Sequence, residues 1–250
     1  MQIAFYTPDD HLFRKIDAAF AEDGAYRCVR FTHELTLIRY LERHPTALVL
    51  FDAGKTSAPG QAVLSWRACH FRSDLPVMMI GQSWDQHNVI EALDAGVDEI
   101  AVGVPCTKEI LARARRTIVR SSGSSKTVSR MSLGAYTIDR SERVVCTPAG
   151  NVQLTARELT LAWLLFTNAG SLLTRDQIAH AVWGKDAVIA SRSIEQHIYK
   201  LRCKLSLDGE GDLQLKTVYS LGYVLDRTAS AMASARGAHV GKQALAIGVA

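Results

Sequence analysis

No stretch of this 250-residue chain approaches the ~18 consecutive apolar residues of a membrane-spanning helix. The opening run, MQIAFYTPDDHLF, has neither the basic start nor the long apolar segment of a secretory leader. A cytoplasmic location without a membrane partner is expected. Cysteine is sparse: Cys28, Cys69, Cys106, Cys146 and Cys203 are odd in number, scattered and never spaced C-x-x-C. Neither a disulfide framework nor a thiolate metal site is indicated, and small buried hydrophobes in a reducing compartment are the ordinary reading for most of them. The eight histidines lack metal-ligand spacing, and no G-x-G-x-x-G, P-loop or G-x-S-x-G motif occurs. These absences argue against an enzyme and imply no cofactor and no metal.

A strong charge of one sign is missing too. The net charge is +4, and over residues 131–226 ten Lys and Arg balance ten Asp and Glu. The basic character is local. In SRSIEQHIYKLRCKL, residues 191–205, Arg192, Lys200, Arg202 and Lys204 stand against Glu195 alone, and local potential over a face governs contact with phosphates. Ile194, Ile198, Leu201 and Leu205 recur at helical spacing and form one apolar stripe. Arg192, Gln196, Tyr199, Lys200 and Cys203 project from the other side. That outward set joins cations suited to phosphates with amide and aromatic groups suited to base edges. An amphipathic helix with a solvated basic face is commonplace in itself, so the surroundings decide.

Upstream, LTARELTLAWLLF from Leu154 and LLTRDQIAHAVWG from Leu172 are two more helix patterns, each with Thr and then an acid near its start. Downstream, LQLKTVYSLGYVL, residues 213–225, reads as a hairpin. The stretch from 131 to about 226 resembles the DNA-binding domain of the OmpR/PhoB type of bacterial response regulator. The resemblance rests on Leu154-Thr155-x-x-Glu158, Val182-Trp183-Gly184, Arg192 through Leu205 with His197-Ile198-x-x-Leu201-Arg202, and Lys216-Thr217-Val218 with Gly222-Tyr223, all in the family's order. It implies a winged helix-turn-helix preceded by a four-stranded antiparallel sheet, and MSLGAYTIDRSERVVCTPAGNVQLT has the short alternating strands and turns this requires. It also implies that Arg192 holds a phosphate, that Lys200 and Arg202 lie near bases or backbone, and that Thr217 binds phosphate at the wing. Gln196 and Tyr199 are candidates from the helical face alone. Tyr219 stands where the family commonly places an arginine for the minor groove, which removes a cation suited to narrow A·T grooves.

Residues 1–120 alternate short apolar runs with amphipathic stretches, from QIAFYT and FRKIDAAFAEDG to DEIAVG and KEILARARRTIV. Such βαβα alternation with fully apolar central strands implies a parallel sheet covered on both faces. Its order resembles a CheY-like receiver, a doubly wound five-stranded α/β fold with functional groups at the carboxyl ends of the strands. The resemblance puts Asp52 at the phosphoacceptor position. The acidic pair that would hold Mg²⁺ falls on Thr7 and Pro8, with Asp9 and Asp10 displaced toward the first helix, where Asp-Asp ordinarily caps. Gly81 replaces the switch Thr or Ser, Val104 replaces the Lys before Pro105, and Ile100 replaces the switch aromatic. Conventional phosphorylation is therefore not expected. The family's receivers pair through salt bridges on one face, where Asp98, Glu99, Glu109, Arg113 and Arg120 match and Val89 replaces a cation. Glu99 with Arg113 and Asp98 with Arg120 are the pairings left to a two-fold axis.

Residues 121–130 read as a flexible Ser/Gly linker, and 227–250, with small residues and no aromatics, as a disordered tail. The expected protein is a dimeric DNA-binding transcription regulator that works without aspartyl phosphorylation. Its partners would be double-stranded promoter DNA, a second copy of itself and RNA polymerase. One alternative is an ordinary two-component regulator phosphorylated at Asp52 by a histidine kinase. Another is an adaptor whose winged helix does not bind DNA and whose helix between Trp183 and Arg192 contacts polymerase.

Overall fold

A computed structural model describes residues 1–54, 60–81, 84–103, 106–123, 129–209 and 211–228. The described residues form two compact units, one within residues 1–123 and one within 129–182 and 186–228. In the first, strands and helices alternate: β1 (Gln2–Tyr6), α1 (Asp10–Asp23), β2 (Arg27–Phe31), α2 (Glu34–Leu41), β3 (Leu48–Gly54), α3 (Gln61–Cys69), β4 (Val77–Gly81), α4 (Gln86–Asp94), β5 (Glu99–Val102) and α5 (Thr107–Gly123). All five strands are parallel in the order β2-β1-β3-β4-β5. This is the doubly wound order whose switch point lies between β1 and β3. The apolar runs LVLF and VMMI are buried along their whole length because helices cover both sheet faces. One core contains Leu37, Phe51, Trp66 and Met79, and the other Phe5, Phe20, Ile80 and Ile110.

Register builds the strand-end site. Tyr6 pairs with Phe51, so the next residues on each strand, Thr7 and Asp52, emerge side by side at the switch point. Asp9 caps α1, its carboxylate accepting from the N–H groups of His11 at 2.8 Å and Leu12 at 3.1 Å. Helix α5 continues to Gly123, three residues into the stretch read as linker. Thr117 and Ile118 are buried one turn earlier, and an anchored helix propagates cheaply through small residues. The Val104 and Pro105 positions and the tail from 229 lie outside the described residues.

In the second unit, β6 (Arg130–Leu133), β7 (Tyr136–Asp139), β8 (Val144–Thr147) and β9 (Gly150–Gln153) form an antiparallel meander. Then come α6 (Ala156–Thr167), β10 (Leu173–Thr174), α7 (Arg175–Ile178) with a π turn over Ala179–Trp183, α8 (Ala187–Leu205), β11 (Leu213–Val218) and β12 (Gly222–Arg227). Capping boxes open α6 at Thr155 with Glu158 and α7 at Thr174 with Gln177. The helix read from Leu172 starts instead at Arg175, because Leu173 and Thr174 pair with Tyr223 and Gly222 as a short strand. Gly222 accommodates that pairing since a Cβ would collide with the Leu173 carbonyl. No separate helix lies between Trp183 and Arg192, where the first turns of α8 stand.

Candidate nucleic-acid interface

Helix α8 sits on its apolar stripe. Ala190, Ile194, Ile198, Leu201 and Leu205 are all buried, and each of the larger four contributes about 1.5–3 kcal/mol of gross burial. Three polar ties fix its orientation. Lys204 donates to Glu158 Oε2 of α6 at 2.8 Å. Burial alone would raise the Glu158 carboxyl, but the Lys204 ammonium and the Thr155 N–H together bring it below its ordinary value. Arg175 reaches Glu195 at 3.0 Å and lies over the Tyr223 ring at 5.4 Å, joining α7, α8 and β12. Arg202 donates through Nε to the Leu215 carbonyl at 2.8 Å and through Nη2 to Thr217 Oγ1 at 2.7 Å.

With the helix so held, Arg192, Gln196, Tyr199, Lys200 and Cys203 are exposed on its outer side. Arg192 and Lys200 have no charged partner among the described residues. Arg202 and Thr217 are brought together with each other, so the guanidinium faces the β11–β12 wing. Tyr219 stands at the wing apex, 92 % exposed.

At the strand-end site of the first unit, Asp52 is buried, and both its oxygens accept hydrogen bonds: Oδ2 from Thr7 Oγ1 at 2.7 Å and Oδ1 from the Gly54 N–H at 3.0 Å. Arg30 spans the β1–α1 loop, donating to the carbonyls of Thr7 at 3.2 Å and Pro8 at 2.8 Å and pairing with Asp10 at 2.7 Å. Asp9 is engaged as the α1 cap. Beyond β4, the Trp84 indole lies directly over Gly81, where a Cβ would fall 2.5 Å from indole Cγ. No cluster of three or more His, Cys, Asp or Glu with metal-holding geometry occurs among the described residues. No described helix is long and apolar enough to cross a membrane.

Residues 149–225 match the family described as "Transcriptional regulatory protein, C terminal". The sensory transduction protein RegX3 of Mycobacterium leprae is 27 % identical over 187 residues, covering 74 % of this chain and 93 % of that protein. The response regulator MprA of Mycobacterium leprae is 32 % identical over 156 residues, covering 62 % of this chain and 68 % of that protein. This chain is an OmpR/PhoB-type response regulator. The α8–wing unit is thus the regulator's transcriptional regulatory domain, and the five-stranded unit occupies the receiver position.

The regulator's α4–β5–α5 face carries all the residues expected to pair copies, and the cations and acids among them pair within the chain. Arg113 donates to Glu99 and to Glu109, each at 2.9 Å, and these bonds raise its pKa. The Asp98 carboxylate accepts from Arg67 and from the Val77 N–H at 2.8 Å, and Arg120 donates to the Asp98 carbonyl at 2.6 Å. Val89 is half-buried against the core containing Trp84, as is Ile100. Among its exposed charged groups this face also leaves apolar side chains in solvent: Ile90 and Val102 are 49 % exposed and Leu93 is 50 %. The spacing of Ile90 and Leu93 was visible in the sequence, whereas the roles of Arg30, Trp84 and Arg175 needed the fold.

Proposed function

We propose that this response regulator binds promoter DNA as a dimer through α8 and the wing, and that its DNA binding does not depend on phosphorylation of Asp52. The observation that carries the DNA-facing part is the outer side of α8, where Arg192 and Lys200, unpaired among the described residues, flank exposed Gln196 and Tyr199. A major groove about 12 Å wide admits such a helix, with the cations at phosphates and Gln196 and Tyr199 at base edges. Arg202 and Thr217 act chiefly by fixing the wing to α8, and the Thr217 hydroxyl, accepting from Arg202, keeps its proton to donate to a phosphate oxygen.

Phosphorylation independence is supported by the Thr7 hydroxyl on Asp52. A receiver's Mg²⁺ needs oxygen ligands beside the acceptor carboxylate. Here the nearest side chain is a hydroxyl that donates into that carboxylate, Asp9 is spent on capping and Asp10 on Arg30. These residues do not fit the ion. The place of the switch hydroxyl is closed by Trp84 over Gly81. Dimerisation is supported by the exposed Ile90, Leu93 and Val102, since apolar contact supplies what exposed ion pairs do not. Regulation through RNA polymerase would use exposed Val188 and Ile189 at the start of α8.

The rival reading, a regulator phosphorylated at Asp52, is favoured by that carboxylate's place at the end of β3. Rounds of selection from a random-core duplex library with the unaltered full-length protein test the DNA reading. Enrichment of one motif repeated at about one helical turn supports a DNA-bound dimer. Failure to enrich any motif at low salt contradicts it and favours the adaptor.

A further inference from the structure

The tip of the wing carries no charge. β11 and β12 meet in a turn closed by the Leu221 N–H on the Val218 carbonyl at 3.1 Å, in which Ser220 takes a left-handed φ of 59°. A serine accepts that conformation at a cost a glycine would not incur. The turn sets Tyr219 and Leu221 on either side of the apex, 92 % and 54 % exposed. From Thr217 to Leu225 there is no Lys, Arg, Asp or Glu, and Lys216 below is paired with Asp226 at 3.0 Å. Whatever this tip touches, Coulomb attraction does not hold it there.

Arg202 decides where the tip points. Its bonds to Leu215 and Thr217 pin the middle of β11 against α8. Tyr219 lies four residues past Leu215, a reach of about 13 Å along an extended strand, and the period of two puts it on the edge that carries Thr217. With α8 seated in the major groove, a reach of that length crosses one phosphate ridge and brings the apex to the adjoining minor groove.

We propose that Tyr219 and Leu221 form an uncharged wedge that packs against the sugar edges of the minor groove beside each half-site, giving this regulator a flanking-sequence preference set by deformability rather than charge. The inference rests on the DNA-binding reading above. An apolar contact releases no counterions, so its share of the affinity is independent of salt. It favours flanks that open easily, pyrimidine–purine steps such as TA, over stiff, narrow A-tracts that attract cations.

The test uses the full-length protein and the duplex enriched by the selection described above, trimmed to one half-site, with fluorescence anisotropy at several salt concentrations. Tyr219→Ala is expected to bind roughly tenfold more weakly, the scale of one lost specific contact, with the salt slope unchanged. Tyr219→Phe is expected to stay within about twofold of the unaltered protein. Tyr219→Arg is expected to steepen the slope by about 0.9 and to move the preference toward A-tract flanks. Circular dichroism checks that these changes at an exposed position leave the fold intact. Equal binding by Tyr219→Ala while Lys200→Ala weakens binding overturns the wedge and leaves the DNA-binding reading standing. A loss seen only on paired half-sites also overturns it, since the tip would then touch a neighbouring copy. If the unaltered protein enriches no duplex, both readings fall together.

Discussion

Replacing Arg202 and Lys200 separately by alanine separates a strut from a DNA contact, two roles that the same helix gives to two cations two residues apart. Arg202 makes two charge-assisted hydrogen bonds, at 2.8 Å to Leu215 and 2.7 Å to Thr217. Buried bonds of that kind are worth about 1.5–3 kcal/mol each. Arg202 is half-buried and Thr217 exposed, so solvent screening reduces the pair to about 1–2 kcal/mol in total. The loss falls on the wing. In the full-length Arg202→Ala protein, amides of β11 and β12 should exchange about 5–30 times faster than in the unaltered protein, with amides of the first unit unaffected. Binding should weaken while the salt slope stays nearly constant. Lys200 is exposed and touches no acid among the described residues. Lys200→Ala should leave exchange unchanged and lower the slope of log K against log salt by about 0.9. Between 50 and 200 mM salt the unaltered protein would then lose about 3.5-fold more affinity than the variant. An Arg202→Ala protein with unchanged wing exchange and a shallower salt slope would refute the reasoning, because Arg202 would then be meeting phosphate.

Two further outcomes follow from the ion pairs and the apolar face. Asp139 is held at about 2, below its ordinary 3.8, by hydrogen bonds from Arg130 first and Ser141 next. A depressed carboxyl contributes stability that is full above its ordinary value and disappears as pH falls through the lowered one. Protection of β7 amides, corrected for intrinsic rates, should therefore decline between about pH 4 and pH 2, and Asp139→Asn should flatten that decline while lowering protection at neutral pH. At the α4–β5–α5 face, Ile90→Asp with Leu93→Asp should shift sedimentation equilibrium at tens of micromolar toward monomer, whereas Arg113→Ala should have a small effect because its pairs close within one chain. An unchanged association state in the double variant would remove this face from the dimer.

What the sequence made legible was local or periodic. The LVLF and VMMI runs, the Thr155–Glu158 box and the stripe Ile194, Ile198, Leu201 and Leu205 each report a neighbour within a few residues, and each stands where its period placed it. The substitutions at Thr7 and Gly81 were visible as well, but their meaning was not. Thr7 and Asp52 are 45 residues apart, and only the β1–β3 register turns a missing acid into a hydrogen-bond donor. Likewise, a glycine at the end of β4 says nothing about the indole above it until α4 is in place. The resemblance to the family's receivers made Asp98 and Arg113 pairing residues between copies, while in the fold they already have partners from α3 and β5. Helical periodicity put Arg202 beside the exposed face of α8, and the hairpin strand, arriving 13 residues later, redirected its guanidinium.

The central claim, DNA binding without aspartyl phosphorylation, meets its most direct test in one titration. The full-length protein and Asp52→Asn are each titrated against the selected paired-half-site duplex, with and without acetyl phosphate and Mg²⁺, at one fixed salt concentration. The account predicts four dissociation constants within about twofold of one another, a difference of under half a kcal/mol. A tightening of about tenfold or more with acetyl phosphate that vanishes in Asp52→Asn would contradict it.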